Sequence, residues 1–265
     1  MLVCAAFMPN TPTLVGDLGV RHDKTVEALR SLGRQLKVKP RAVVVLSPHF
    51  VTGGGVAVVA QRELRQIYDF YGFPDKFYSV RYRPHGDPEL AEVIARKINS
   101  FGVPCTTTEE WGLDHGAWSP LMHVFPNADV PVIPLSLCDE IEEISYRDVG
   151  RAVRAVAEET DLFVCATGSI IHRLDLYGRD NSSVPEVANR YLGLVTMALI
   201  NGEWDKIWSA PVSWMREASP EGGLVPLRFL SGVVGNRFMG HLLANEIEFN
   251  AASLTTVKLD EVREI

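Results

Sequence analysis

Seven histidines are scattered through the 265-residue chain, and three of them share an address that could support chemistry. His49 closes the apolar run AVVVLSPHF. His172 follows the run LFVCATG, within GSIIHRL. His115 sits in the short string LDHGAW, just ahead of SPLMHVF. Neutral imidazole is the commonest nitrogen ligand of metals and also a general acid or base near neutral pH. Imidazoles from distant parts of a chain can meet in one crevice when each lies at or beyond the carboxyl end of a strand, where open α/β sheets bind ligands. Gly116, beside His115, permits a close approach at that point. The plainer alternative, that each ring caps a strand end against backbone, stays open for any one of the three. The other histidines carry less. His22 and His241 lie in helical or helix-edge contexts, His85 stands in the turn RPHGDP, and His123 follows SPLM in a half-buried setting.

Several chemistries are excluded by what the sequence lacks. There is no HExxH, so a helical zinc protease is out. There is no GxSxG elbow and no Walker A loop. The string TGGGV at 52–56 lacks the Lys-Ser/Thr of a phosphate loop and reads as a turn between strands. An open-sided Fe(II) site built from two histidines and a carboxylate is compatible with the pattern, because that set leaves coordination positions for O2 and substrate. A metal-free hydrolytic site would have to draw its nucleophile from Ser47 or Ser169.

These side chains need elements to position them. Strand-like runs recur at Leu2–Met8, Ala42–Ser47, Val56–Ala60, Phe77–Tyr82, Val130–Leu137, Leu162–Thr167 and Ser253–Leu259. Several are unbroken β-branched runs, as expected of central strands covered on both faces. Between them lie helical patterns. Lys24–Lys37 places Val26, Leu29, Leu32 and Leu36 on one face. Asp87-Pro88-Glu89 opens a helix to Asn99, with Asp as N-cap and Pro in the first turn. Asp148–Glu159, Pro185–Ile200 and Leu224–Phe238 complete the set. The alternation predicts an α/β fold: one layered domain over residues 1–265, with a central, mostly apolar sheet and helices on both faces.

Composition agrees. Hydrophobic residues make up 46% and charged residues 22%, enough apolar content for a sizeable core. A net charge of −7 without a dense basic block argues against a nucleic-acid or anionic-membrane partner. The apolar runs are too short to span a bilayer. The opening MLVCAAFMPNTP lacks a basic n-region and reads as a first strand and turn rather than a signal peptide. Cys4, Cys105, Cys138 and Cys165 form no CxxC pair and are expected to be buried free thiols in a reducing cytoplasm.

Three long segments in order, YDFYGFPDKFYSVRYRPHGDPELAEVIARKI, WGLDHGAWSPLMHVFPNADVPVIPLSL and ATGSIIHRL, resemble the class III extradiol ring-cleaving dioxygenase superfamily. That group includes the catalytic subunit of protocatechuate 4,5-dioxygenase, DOPA dioxygenase-like enzymes, 2-aminophenol dioxygenases and Memo-like proteins. The likeness runs from the first strand to about Gly235, and the block from Tyr68 to Leu137 is most like the DOPA dioxygenase branch. The resemblance implies a helix-covered sheet, a non-haem Fe(II) centre (zinc in some isolated forms), a small catechol- or aminophenol-like substrate with O2, and assembly as a homo- or hetero-oligomer. By resemblance, His49 is a metal ligand, His172 the acid/base on the substrate hydroxyl, and His115 a pocket histidine that contacts substrate. Tyr68, Tyr71, Trp111, Trp118 and Trp214 are candidate pocket walls.

The chain departs from the family pattern at the other two ligand positions. Asn10 stands where the first metal histidine is expected, in MPNTP. The last ligand position, counted back from Pro226 and Gly232, falls on Gly223, which has no side chain; Glu221, two residues earlier, could bring a carboxylate instead. The set Asn10, His49 and Glu221 is a weaker Fe(II) site than two histidines and a carboxylate. Two readings follow: a ring-cleaving dioxygenase with a rebuilt metal site, or a non-catalytic, metal-free subunit or scaffold homologue of one.

Overall fold

The structure is a computed structural model, and it describes residues 1–16, 18–19, 21–177 and 183–262. One eight-stranded sheet organises it. The strands are β1 (Leu2–Met8), β2 (Ala42–Thr52), β3 (Val56–Val59), β4 (Cys105–Thr108), β5 (Val132–Cys138), β6 (Leu162–Thr167), β7 (Phe238–Glu248) and β8 (Ala252–Glu261), in the spatial order β4-β3-β5-β2-β6-β1-β8-β7. The centre, β5-β2-β6-β1, is parallel. Its strands are buried along most of their length, which explains their continuous Val, Leu and Ala runs. The antiparallel β7–β8 hairpin closes one edge through β8 on β1.

Helices cover both faces. The main ones are α1 (Asp23–Arg34), α2 (Asp75–Tyr78), α3 (Pro88–Ser100), α4 (His115–Val124), α5 (Tyr146–Val156), α6 (Glu186–Asn201), α7 (Trp204–Trp208), α8 (Val212–Ala218) and α9 (Val225–Val234). One core cluster lies under α3, α5, α6 and α9; a second lies under α1, α4 and the irregular stretch between β3 and α3. Asp87 caps α3 as expected, its carboxylate accepting from the Leu90 amide at 3.0 Å. All four cysteines are free and buried. No described helix is long and apolar enough to cross a membrane.

Some expectations are corrected. Residues 77–82 are not a strand: Pro74 leads into α2, and the backbone beyond it is satisfied by side chains, with the Tyr82 amide donating to Gln66 Oε1 at 3.0 Å. The helix expected to reach Phe238 stops at Val234, where Gly235 takes φ 74°, and Phe238 begins β7. That places His241 in a strand. The short edge strand β4 and the exposed hairpin strand β7 lack the continuous apolar signature and were not anticipated.

Candidate active site

Three neighbouring parallel strands deliver the site. In the order β2-β6-β1 their carboxyl ends lead to His49, to Ser169 and His172, and to Asn10. The ladder of β2 breaks its register between Leu46 and Val51, and this irregularity is what turns His49 out of the sheet. His115 is the first residue of α4, because Asp114 caps that helix and accepts from the Ala117 amide at 3.2 Å. Asp114 is wholly buried and also takes hydrogen bonds from Ser47 Oγ at 2.6 Å and Trp111 Nε1 at 3.0 Å. Burial and the nearby Asp69 charge push its carboxyl up, against the pull of those two donors.

The role foreseen for Gly116 holds. A Cβ there would lie 2.8 Å from His49 Cδ2 and 3.0 Å from Asp114 Oδ1, so only glycine lets α4 seat His115 against His49. The two rings lie 4.1 Å apart between centroids.

Two carboxylates flank His49. Its Nε2 is 2.9 Å from Glu221 Oε1, and its Nδ1 is 3.1 Å from Asp69 Oδ2. Burial disfavours the imidazolium, but the two carboxylates outweigh it and lift the pKa to about 10. Glu221 also accepts from Asn10 Nδ2 at 3.0 Å and has His172 Nε2 at 4.0 Å. Burial opposes its ionisation, yet His49, His172 and Asn10 hold its carboxyl at about 2. Glu221 reaches this spot because its amide donates to Ser169 O at 2.9 Å, and because Gly222 and Gly223, both in the left-handed region, carry the chain away. A side chain at Gly223 would instead start 3.9 Å from Glu143 Oε2.

Asp69 was missed by the sequence reading. It lies in YDFYGFP, a string whose signal, an acid amid aromatics in an irregular stretch, is easily read as packing alone. The His115 ring Nδ1 sits 2.8 Å from Asp69 Oδ1, and the His115 amide donates to the same oxygen at 2.9 Å. A carboxylate oxygen can only accept, so Nδ1 carries the proton and Nε2 is left free for the cavity. Burial opposes the Asp69 charge, but the donors from His115 and His49 hold it well below the ordinary carboxylate range.

His49, Asp69, His115, His172, Glu221 and Asn10 line one cavity of about 530 Å³, a size suited to a small ligand. Of the expected walls only Tyr71 lines it. Tyr68 and Trp118 pack edge-to-face behind Phe70, whose ring meets His115 edge-on at 5.3 Å. Trp111 stacks on Phe50, and Trp214 packs against the core of the other sheet face. His22, taken as ordinary, is 5% exposed and 3.3 Å from Glu248 Oε1.

The donors present fit a divalent cation. His49, Asp69 and His115 bring one ligand atom each within 4.8 Å of one another. Glu221 Oε2 is buried without a hydrogen-bond partner, and Asp69 Oδ2 has only its ion-pair contact with His49 Nδ1 at 3.1 Å. A buried, unpartnered carboxylate oxygen beside an imidazole is a pattern a metal ion would satisfy.

The chain resembles known proteins. The sequence model of the catalytic LigB subunit of aromatic ring-opening dioxygenase matches residues 4–256. A 4,5-DOPA dioxygenase extradiol of Beta vulgaris is 30% identical over 241 residues, 89% of this chain and 88% of that protein. Its namesake from Mirabilis jalapa is 27% identical, covering 74% of each chain. The solved structure of an uncharacterised Escherichia coli K12 protein superposes with a TM-score of 0.71 at 24% identity, over 97% of this chain and 99% of that one, and shares the fold. With a match over nearly its whole length and a site at the carboxyl ends of β1, β2 and β6, this chain belongs to the LigB family of class III extradiol, aromatic ring-opening dioxygenases.

Proposed function

We propose that the protein is an extradiol ring-cleaving dioxygenase that opens a catechol- or aminophenol-like substrate with O2 at a non-haem Fe(II) centre. The observation that carries this reading is the convergence of Asn10, His49 and His172 on the buried Glu221 carboxylate, whose Oε2 has no hydrogen-bond partner. The metal would be held by His49 Nε2, by the Glu221 carboxylate and by the Asn10 carbonyl oxygen once its amide rotates. When bound, Fe(II) would supply coordination for the substrate oxygens and for O2 side by side. Loading His49 Nε2 would require that nitrogen to be free of its proton, so affinity should rise with pH.

The protein's own groups divide the remaining work. His172, about a quarter exposed and 4.0 Å from Glu221, stands where it can take the proton of a substrate hydroxyl and later return it. His115, its tautomer fixed by Asp69, offers Nε2 as a hydrogen-bond acceptor or, when protonated, a donor to substrate. Phe70, Tyr71 and Phe73 provide an apolar wall for the ring.

A second reading, a metal-free subunit or scaffold homologue, is favoured by one observation: Asn10 Nδ2 and His49 already satisfy Glu221 Oε1 without a metal. The proposal includes a cytoplasmic protein that assembles as a homo- or hetero-oligomer. Anaerobic reconstitution with Fe(II), followed by a panel of catechols and aminophenols in air, tests it. A yellow ring-opened product is expected; no bound metal and no turnover across the panel would leave the scaffold reading.

A further inference from the structure

The cavity holds a carboxylate for which the reaction above has no use. Glu248, the last residue of β7, is 2% exposed yet lines the same cavity as the histidines. Among the described residues, its three side-chain partners all fall on one oxygen: Thr11 Oγ1 at 3.2 Å, Thr13 Oγ1, and His22 Nε2 at 3.3 Å. That arrangement commits Oε1 and leaves Oε2 without a hydrogen bond from any described side chain. A carboxylate oxygen left uncommitted beside a cavity can accept from a donor on the ligand. Its position is tied to the reacting end, because Thr11 reaches Glu248 while its chain neighbour Asn10 reaches Glu221.

The charge of the lining is one-sided. Among the described residues, Asp69, Glu221 and Glu248 stand in the wall, and no Lys or Arg does. A substrate side-chain carboxylate lying beside Glu248 would meet no Lys or Arg among the described lining residues and would be repelled in a partly desolvated site. A protonated amine would find in Glu248 a preorganised partner, with Leu174 and Tyr177 to cover the intervening methylenes.

We propose that Glu248 is a specificity-determining residue that pairs with a protonated amine on the substrate's side chain, so that the preferred substrate is a catechol bearing an ammonium-terminated chain rather than a carboxylate-terminated one. This assignment rests on the dioxygenase reading for the catechol end of the ligand.

The test is anaerobic equilibrium binding to the iron-loaded full chain, with dopamine, ethylcatechol and dihydroxyphenylacetate as probes of equal core and different side-chain charge, followed by turnover in air. Dopamine should bind about tenfold or more tighter than ethylcatechol, and dihydroxyphenylacetate weakest, since hydrogen bonds to charged groups are among the stronger ones. In Glu248→Gln, whose amide oxygen can still accept from Thr11 and Thr13, the dopamine-to-ethylcatechol ratio should fall towards unity. Equal binding of amine and neutral probes by the unaltered protein would overturn the assignment, and needs no variant to fold. So would an amine preference that survives in Glu248→Gln. Because binding is read without O2, amine preference with no ring opening would sink the dioxygenase reading and support Glu248, whereas ring opening without amine preference would do the reverse.

Discussion

Replacing Gly116 with alanine should damage the site far more than the fold. The new Cβ would lie 2.8 Å from His49 Cδ2 and 3.0 Å from Asp114 Oδ1, and closer still to Ser47 Oγ. Carbon atoms settle about 3.5–4.0 Å apart, so His49 must retreat by roughly 0.7–1.2 Å or α4 must lift away. Overpacking of this kind costs about 1–3 kcal/mol, and the better helix propensity of alanine returns about 1 kcal/mol. The net loss of stability is then about 0–2 kcal/mol, a fall in Tm of about 2–4 °C for each kcal/mol in a chain of this size. Activity should suffer much more, because a misplacement of about 1 Å can cost about 100-fold. Gly193 on α6 is the internal control: it is exposed, nothing lies within 4 Å of its Cβ position, and alanine there should raise stability by up to about 1 kcal/mol. The assay is thermal unfolding, Fe(II) titration and catechol turnover on both variants. Unaltered turnover and iron affinity in a folded Gly116→Ala would refute the reasoning that Gly116 seats His49.

Other perturbations separate the roles assigned to single groups. Asp69→Asn keeps the shape but leaves His115 and His49 without the carboxylate that orients them, and should lower iron affinity or turnover by about 10–100-fold; an effect below twofold would remove Asp69 from the site. His172→Ala should lower kcat by about 100-fold or more with little change in KM, since proton transfer helps in the transition state, and a change confined to KM would contradict that role. His123 is half-buried and its Nε2 meets Leu14 O at 2.8 Å; desolvation, aided by Arg30, holds its pKa below 6.5 despite that carbonyl. The unfolded chain therefore binds the proton more readily, so this contribution to stability is fully present above pH 6.5 and is lost as pH falls from there through the folded value. In denaturant titrations His123→Gln should lose less stability than the unaltered protein on going from about pH 7.5 to 5.5; an equal loss would show that His123 is not the group responsible.

Much of this arrangement was legible in the sequence, and the rest was hidden for identifiable reasons. The central strands announced themselves because burial on both faces demands unbroken apolar runs, and α1, α3, α5 and α6 because one-sided burial imposes a helical period. His49 and His172 were found from their places after such strands. The stretch 77–82 misled because its apolar residues do pack inward, but from an irregular backbone pinned by Gln66 and Tyr68 rather than from a ladder. Asp69 was invisible for the same reason: no period marks an irregular segment, and its partners lie 20 and 46 residues away in the chain. Glu221 emerged only from counting against a family pattern. Its nearness to His49 depends on the paired left-handed glycines that follow it, and no local rule fixes their direction.

The central claim is that the Asn10, His49 and Glu221 cluster holds iron and directs O2 into an aromatic ring. The most direct measurement is the mass spectrum of the product formed when the Fe(II)-loaded protein opens a catechol under isotopically labelled dioxygen. Both labelled atoms should be found in one ring-opened product, and the signal should vanish with His49→Ala. A protein that binds no iron at this cluster, or a product carrying no label from dioxygen, would contradict the account.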